Sequence, residues 1–206
     1  MVHAVIPENR DQYRDALLQM HRDRKTIFVD RLHWAVPVVD GEFEIDQFDT
    51  EQAVYLLALD PRSHRHLGSV RLLPTLHPHL LGDVFPDLCA AGVPRDAGTW
   101  EITRLCTTPG LEKAEARAVL GLIATALVEF ALLYGVNRYT CVAHLQWLSQ
   151  LIAVGWDTEP LGAPQQIDGE LVGALSINVT PATLQMFRDR SGRRRPILHW
   201  IVPEAA

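Results

Sequence analysis

The 206-residue sequence predicts an α/β fold: a single domain, 1–206, with a mixed central sheet flanked by helices. Three observations carry this expectation. Short apolar runs with strand character alternate with segments of helical period. One helical segment, 112–134, is apolar enough to lie across a sheet. The length suits one domain, and 48% apolar with 21% charged residues supplies one core, with no repeat or linker to divide it.

Each element has its own signal. Asn9 reads as the N-cap of a helix running to about Asp23, with Tyr13, Leu17, Met20 and Arg24 on one face. An irregular, acid-rich stretch follows, with Pro37 and Asp40-Gly41 as turn signals. Residues 53–60 (AVYLLALD) and 66–73 (HLGSVRLL) read as buried strands, and the polar 61–65 between them suits a hairpin. Residues 74–98, rich in Pro, Gly and His, read as a long loop with one or two short helical turns. Loops of that length in a compact domain are usually functional. Residues 100–107 form a third strand, and the long helix ends at Gly135. A strand at 138–143, a helix at 145–154, a strand at 170–179, a helix at 181–188 and a strand at 197–202 complete the chain.

The charge excludes some classes of partner. Nineteen bases against 25 acids give 19 − 25 = −6, which argues against nucleic-acid binding, since phosphate contacts need a basic face. The whole excess lies in residues 1–60, with 12 acids and six bases, and six of those acids fall within 40–51. Three cysteines, Cys89, Cys106 and Cys141, form no CxxC pair and suit a reducing, cytoplasmic setting. The N-terminal segment lacks a signal-peptide pattern. The most apolar run, 118–128, has eleven residues against the ~20 of a bilayer span, so it reads as core, with no membrane insertion.

Charged residues inside apolar strands point to chemistry. Arg71 lies in VRLLP, and Glu101 and Arg104 lie in WEITRLC. A charge in a central strand is costly unless paired. One reading is a buried structural ion-pair network of Arg24, Arg71, Arg104, Asp46, Asp49 and Glu101. The other is a pocket for a zwitterionic ligand, with arginines taking a carboxylate and acids an ammonium. Both can hold, for different members. The remaining acids, Asp40, Glu42, Glu44 and Glu51, read as a solvated face.

These residues resemble a known family. Arg24, Phe28 and Trp34, then Asp46 and Asp49 in EIDQFD, Arg71 in GSVRLLPT, Phe85 in GDVFPDL, and Glu101 and Arg104 in WEITRLC match, in order and spacing, the LuxI-type acyl-homoserine-lactone synthases. The match runs from about residue 20 to 105. The resemblance implies a GNAT-like sandwich and an acyltransferase. It would take an acyl group from acyl carrier protein or acyl-CoA to the amine of S-adenosylmethionine, a substrate and not a cofactor. Lactonisation then expels 5′-methylthioadenosine, and the product serves quorum sensing. The resemblance further implies catalytic roles for Glu101, Arg104 and Asp46, with Glu101 as general base through water. Arg24, Arg71 and Arg104 would orient the methionine carboxylate and fix the acids. Asp46 and Asp49 would hold the ammonium or order the N-terminal segment, and Phe28 and Trp34 would pack on adenosine and sulfonium. Thr103 and Phe85 join the substrate-binding positions. Residues 1–50 would close over substrate, and 136–206 would hold the acyl pocket, with Cys141 and Ala143 on its inward face and Thr140 pointing away. On that alternation, the acyl chain is expected to carry no 3-oxo group. Trp147, Leu151 and Trp156 are candidates to shorten or flatten the pocket.

One geometric conflict stands. Glu101 and Arg104 are three apart, so a regular strand sends them to opposite faces unless a bulge intervenes. The segment before the long helix, TTPGLEKAEAR, has one glycine and two acids where CoA-using N-acetyltransferases carry a Gly-rich loop, which favours a carrier protein without excluding acyl-CoA. Arg188, Arg190, Arg193, Arg194 and Arg195 read as a solvated turn or as a docking patch for an acidic carrier protein. His64, His66, His77 and His79 form two HxH pairs in loops with no cysteine near, so no metal site is expected. Two other functions stay open: an acetyl-CoA-dependent N-acyltransferase on another amine, and a silent module that binds S-adenosylmethionine or acyl chains.

Overall fold

The computed structural model describes residues 1–200. The chain opens with β1 (Val2–Val5), then a 3-10 turn over Pro7–Tyr13 that runs into α1 (Arg14–Arg24) and a π-helical turn, Lys25–Arg31. A small ribbon follows, β2 (Val38–Val39) and β3 (Phe43–Glu44). β4 (Val54–Leu59) and β5 (His66–Pro74) make the expected hairpin. α2 (Leu80–Asp83) and a 3-10 turn, Pro86–Leu88, interrupt the long connection to β6 (Thr99–Thr107). Next come α3 (Lys113–Tyr134), β7 (Arg138–His144), α4 (Leu145–Val154), β8 (Asp157–Pro160), β9 (Gln165–Ile167), β10 (Glu170–Asn178), α5 (Pro181–Ser191) and β11 (Leu198–His199).

One nine-stranded sheet holds these elements together, in the order β11-β1-β4-β5-β6-β7-β10-β8, with β9 also paired to β10. The pairings are antiparallel except β1 with β11 and β6 with β7. α3 and α5 cover one face. There Leu56 and Leu72 from the sheet meet Ile123 and Phe130 from α3, all fully buried. Burying each such side chain contributes roughly 1.5–3 kcal/mol before entropy is charged. α1 covers the other face, where Met20 packs with Tyr55, Leu57 and Leu73. Strand alternation therefore decides which side chains reach which helix.

α3 shows how sequence sets an element's ends. Glu112 takes the N-cap position, with Glu115 closing back on its backbone N–H, and Gly135 ends the helix at φ 70°. At 22 residues α3 has the length and apolar composition of a membrane span, but half of its most apolar window is buried inside this fold. Residues 118–128 are only its uninterrupted apolar run, and α3 is the core helix.

Several expectations shift. Asn9 does not cap α1. It sits inside the preceding turn, where its Oδ1 accepts from Ile6 N–H and its Nδ2 donates to Ala4 O, tying the turn to β1. Five short strands lie outside the expectations: β1, then β2 and β3 in the stretch expected to be irregular, and β8 and β9, which are largely exposed and polar. Of the final strand expected at 197–202, Leu198–His199 is paired; residues 201 and 202 lie outside the described residues.

Candidate active site

The N-terminal acids and the sheet arginines meet in one buried cluster on the α1 face. Arg24, whose side chain is 1% exposed, grips Asp49 with both terminal nitrogens at 2.8 and 2.9 Å and donates from Nε to Glu44. Arg71 grips Asp46 in the same two-pronged way, at 2.6 and 3.0 Å, reaches Asp49 at 2.8 Å, and donates from Nε to the Thr103 hydroxyl. Arg104 donates to Glu44 Oε1 at 3.1 and 3.0 Å and to Asp46 Oδ2 at 2.7 Å. Bidentate, charge-assisted bonds of this kind are the strong ones. Tyr55 donates its hydroxyl to Asp49, and the Asp46 N–H donates to the same carboxylate.

Three guanidinium charges meet three carboxylates, so the cluster is neutral. Burial would raise the Asp49 carboxyl, but Arg24 and Arg71 outweigh it and hold that group well below the usual carboxylate range. Burial and the neighbouring Asp49 push the Tyr55 phenol up. Arg24, Arg71 and Arg104 are thus matched by protein carboxylates, which pin the 44–49 segment to β5 and β6. Of the two roles the resemblance implies for them, fixing the acids is the one these hydrogen bonds perform.

Glu44 corrects the sequence reading. The sequence groups it with Asp40, Glu42 and Glu51 on a solvated face, yet its side chain is 0% exposed and bridges Arg24 and Arg104. The turn at Asp40 and Gly41, both at positive φ, reverses the chain, so β3 pairs with β2 and directs Glu44 inward. Glu42, two residues earlier, instead pairs with Arg22 at the surface. The available signal was the spacing of Glu44 and Asp46, two apart and so on one face of an extended segment.

A bulge resolves the conflict between Glu101 and Arg104. Ser69 faces Cys106 and Arg71 faces Thr103, so Val70 alone opposes both Arg104 and Leu105. Arg104 takes φ 53°, a left-handed conformation that costs a non-glycine residue energy. The extra residue resets the alternation: Glu101, Thr103 and Arg104 are all buried, while Leu105 turns outward at 40% exposure. The strain is held by the ion pairs that Arg104 makes.

Aromatic rings cover the Arg104 end. Phe28, in the π-helical turn, stacks on Trp34 with centroids 4.8 Å apart. The Arg104 guanidinium carbon lies 5.5 Å from the Phe28 centroid and 5.8 Å from that of Trp34. His144, at the end of β7, lies parallel to Trp34 at 6.0 Å. The sequence reading had given His144 no part.

Glu101 stands outside the ion-pair cluster, contrary to its place in the expected network. It is fully buried; Oε1 accepts from Leu81 N–H at 2.8 Å, and Oε2 has no partner among the described residues. Burial pushes its carboxyl up to about 7, against the opposing pull of the α2 N–H groups and Arg71. A carboxyl titrating near neutrality with a free oxygen is equipped to accept a proton. Phe85 packs nearby in an apolar cluster with Leu81, Leu88, Cys89 and Ala174.

The sheet opens beside Glu101. β6 and β7 run parallel and pair from Thr99–Arg138 to Ile102–Cys141, then part. β6 continues along β5 and β7 along β10, leaving a wedge that begins next to Thr103. Cys141 is buried with Leu148, Trp156 and Leu175 on the α3 side, and Ala143 packs against the same core. Thr140 does point away from Cys141, but toward the Glu101 face: it is the β7 residue in register with Glu101. Trp147 is 49% exposed, while Trp156 is buried against Phe187.

Two of the five C-terminal arginines serve the fold. Arg188 pairs with Glu129 at 3.4 Å, and Arg190 donates to the Val154 carbonyl. Arg193, Arg194 and Arg195 are exposed. The HxH histidines also have other partners: His66 pairs with Asp23, and His79 Nδ1 bonds the His77 carbonyl.

Residues 8–186 match the autoinducer synthase family model. The chain belongs to the autoinducer synthase family. It is an acyltransferase of the acyl-homoserine-lactone synthase kind, a producer of quorum-sensing signals. An isovaleryl-homoserine lactone synthase of Bradyrhizobium diazoefficiens is 34% identical over 193 residues, which is 93% of this chain and 86% of that protein. The structure of a CoA-dependent acyl-homoserine lactone synthase, BjaI, with SAM and isopentyl-CoA superimposes with a TM-score of 0.91 at 32% identity, covering 100% of this chain and 95% of that one. An acyl-CoA N-acyltransferase from Pseudomonas aeruginosa, 18% identical with a TM-score of 0.53 over 85% of this chain and 98% of its own, shares the fold. The synthase is thus a mixed-sheet, GNAT-like α/β protein.

Proposed function

We propose that the synthase transfers an acyl group from an acyl thioester, acyl-CoA first among donors, to the amine of S-adenosylmethionine. The observation that carries this reading is Glu101, a buried carboxyl with one free oxygen where β6 and β7 part. The amine arrives as an ammonium and gives a proton, through water, to Glu101. Its lone pair attacks the thioester carbonyl; the C–N bond forms, the C–S bond breaks, and the leaving thiolate takes a proton. The methionine carboxylate then attacks the carbon bound to the sulfonium. A C–O bond closes the lactone, and 5′-methylthioadenosine departs with the electron pair of its C–S bond. No cofactor is needed.

The rest of the site supports this assignment of roles. The neutral ion cluster holds the 1–50 segment closed on the sheet, with Phe28 and Trp34 against the nucleoside end. The acyl chain lies on the other face of the wedge, toward Cys141, Ala143 and Trp156, in the 136–206 half. The relative that holds isopentyl-CoA favours acyl-CoA over carrier protein and a short branched chain. Arg193, Arg194 and Arg195 would draw an anionic donor, whether the CoA phosphates or an acidic carrier protein. Three free, buried cysteines fit a reducing cytoplasm.

The test incubates the protein with S-adenosylmethionine and a panel of acyl-CoA and acyl-carrier-protein donors, and follows methylthioadenosine and lactone by mass spectrometry. Turnover with at least one donor is expected, together with its loss in folded Glu101→Gln. Full turnover in that variant would remove Glu101 from the role of base.

A further inference from the structure

Glu101 Oε2 is not the only orphaned polar atom at this point of the sheet. The Thr140 hydroxyl, on a residue with 0% exposure, also has no hydrogen-bond partner among the described residues. The two residues are register partners on the parallel β6–β7 pair, one rung before its last, so their side chains leave the same face. Adjacent strands lie about 5 Å apart, which puts the hydroxyl and the free carboxylate oxygen within reach of one small polar group between them. Leaving a buried hydroxyl and a buried carboxylate oxygen both unmatched is costly, and such pairs are normally completed by a shared partner.

The surroundings leave few other choices. On the same face Val142 and Ala174 belong to an apolar cluster with Leu81 and Leu88, and offer neither donor nor acceptor from their side chains. Glu101 Oε1 is already taken by Leu81 N–H, which turns Oε2 as the free oxygen. Ser176, the β10 neighbour of Thr140, is buried on the far side of Thr140 from Glu101.

We propose that Thr140 is a positioning residue for the reaction: its hydroxyl and Glu101 Oε2 together hold the water that carries the proton away from the substrate amine. This rests on the reading of Glu101 as base. The water accepts the ammonium proton and passes one of its own to Oε2, so it is unchanged at the end. Thr140 holds that water through a hydrogen bond, supports the charged carboxylate, and takes up no proton itself.

The test compares Thr140→Val, which keeps the shape and removes the hydroxyl, with Thr140→Ser, which keeps the hydroxyl. Removing the donor leaves the carboxylate less stabilised, so its protonated form persists to higher pH. Thr140→Val is expected to lower kcat about tenfold, to change the KM for S-adenosylmethionine less than about threefold, and to move the acid limb of the kcat/KM profile upward by about half a pH unit or more. Thr140→Ser restores both. An unchanged limb and kcat in Thr140→Val would overturn the proposal, as would a change confined to which acyl chain is used, or a serine variant no better than valine. Failure of the base reading is separately visible, because Glu101→Gln would then keep its turnover whatever the threonine variants do.

Discussion

Glu44→Gln puts the buried ion cluster to its sharpest test. The substitution keeps the side chain's shape and removes one of three negative charges facing three arginines, so the cluster goes from neutral to one positive charge in excess. Glu44 accepts from Arg24 Nε at 2.5 Å and from Arg104 at 3.1 and 3.0 Å, with its side chain 0% exposed. Breaking a buried pair from one side costs about 3–5 kcal/mol, because the partner charge stays buried. Glutamine keeps one acceptor oxygen, so the lower end, about 3 kcal/mol, applies. For a chain of this size each kcal/mol moves Tm by about 2–4 °C, which predicts a fall of roughly 6–12 °C. Glu42→Gln supplies the comparison from the same ribbon. Glu42 pairs with Arg22 at 2.8 Å, but their side chains are 58% and 54% exposed. Such a pair contributes about 0–1 kcal/mol, so Tm should move by no more than a few degrees. Thermal unfolding followed by circular dichroism in low and high salt separates the two. Salt should erase the Glu42→Gln difference and leave most of the Glu44→Gln difference. A Glu44→Gln protein melting within about 2 °C of Glu42→Gln would show that the cluster does not hold the segment as its geometry implies.

Three further outcomes follow from the same geometry. The Glu101 carboxyl is pushed up to about 7 and must be ionised to take a proton, so kcat/KM should rise with pH through about 7 and then level; a limb near 4.5, the group's ordinary value, would contradict its burial. Asp49 is held below its ordinary range, so its ion pairs contribute fully above about pH 4 and are lost as the pH falls through the depressed value. The stability gap between the protein and Asp49→Asn, measured by urea unfolding, should therefore be constant from pH 5 to 8 and narrow only in strong acid. Replacing Arg193, Arg194 and Arg195 together by glutamate should raise the KM for the acyl donor several-fold and leave that for S-adenosylmethionine unchanged; an unchanged donor KM would remove the patch from donor docking.

Much of the fold and of the site was legible in the residues themselves. The long core helix, the β4–β5 hairpin and the strand carrying Glu101 follow from local period, caps and turn chemistry, each settled within a few residues. The motif residues Arg24, Asp46, Asp49, Arg71 and Arg104 were readable because charge in apolar strands demands a partner, and the structure joins them. What local pattern could not supply was membership. Glu42 and Glu44 look alike in sequence, and only the turn at Asp40-Gly41 and the approach of Arg24 and Arg104 bury one and expose the other. Glu101 and Arg104 looked incompatible on one strand, and only the pairing of β5 with β6 shows the extra residue that reconciles them.

The sequence by itself determined the family, the α/β layering and the list of charged residues, because each depends on residue type and on spacing along the chain. The tertiary structure alone decided which charges cancel and which is left over. Six close into a neutral cluster that ties the N-terminal segment to the sheet. Glu101, from the same strand as Arg104, has no ion-pair partner among the described residues and keeps one oxygen free at the mouth of the wedge. The physical reason is that a carboxyl's burial and partners are set by neighbours from other strands. Sequence spacing reports those neighbours only when the strand is regular, and β6 is not.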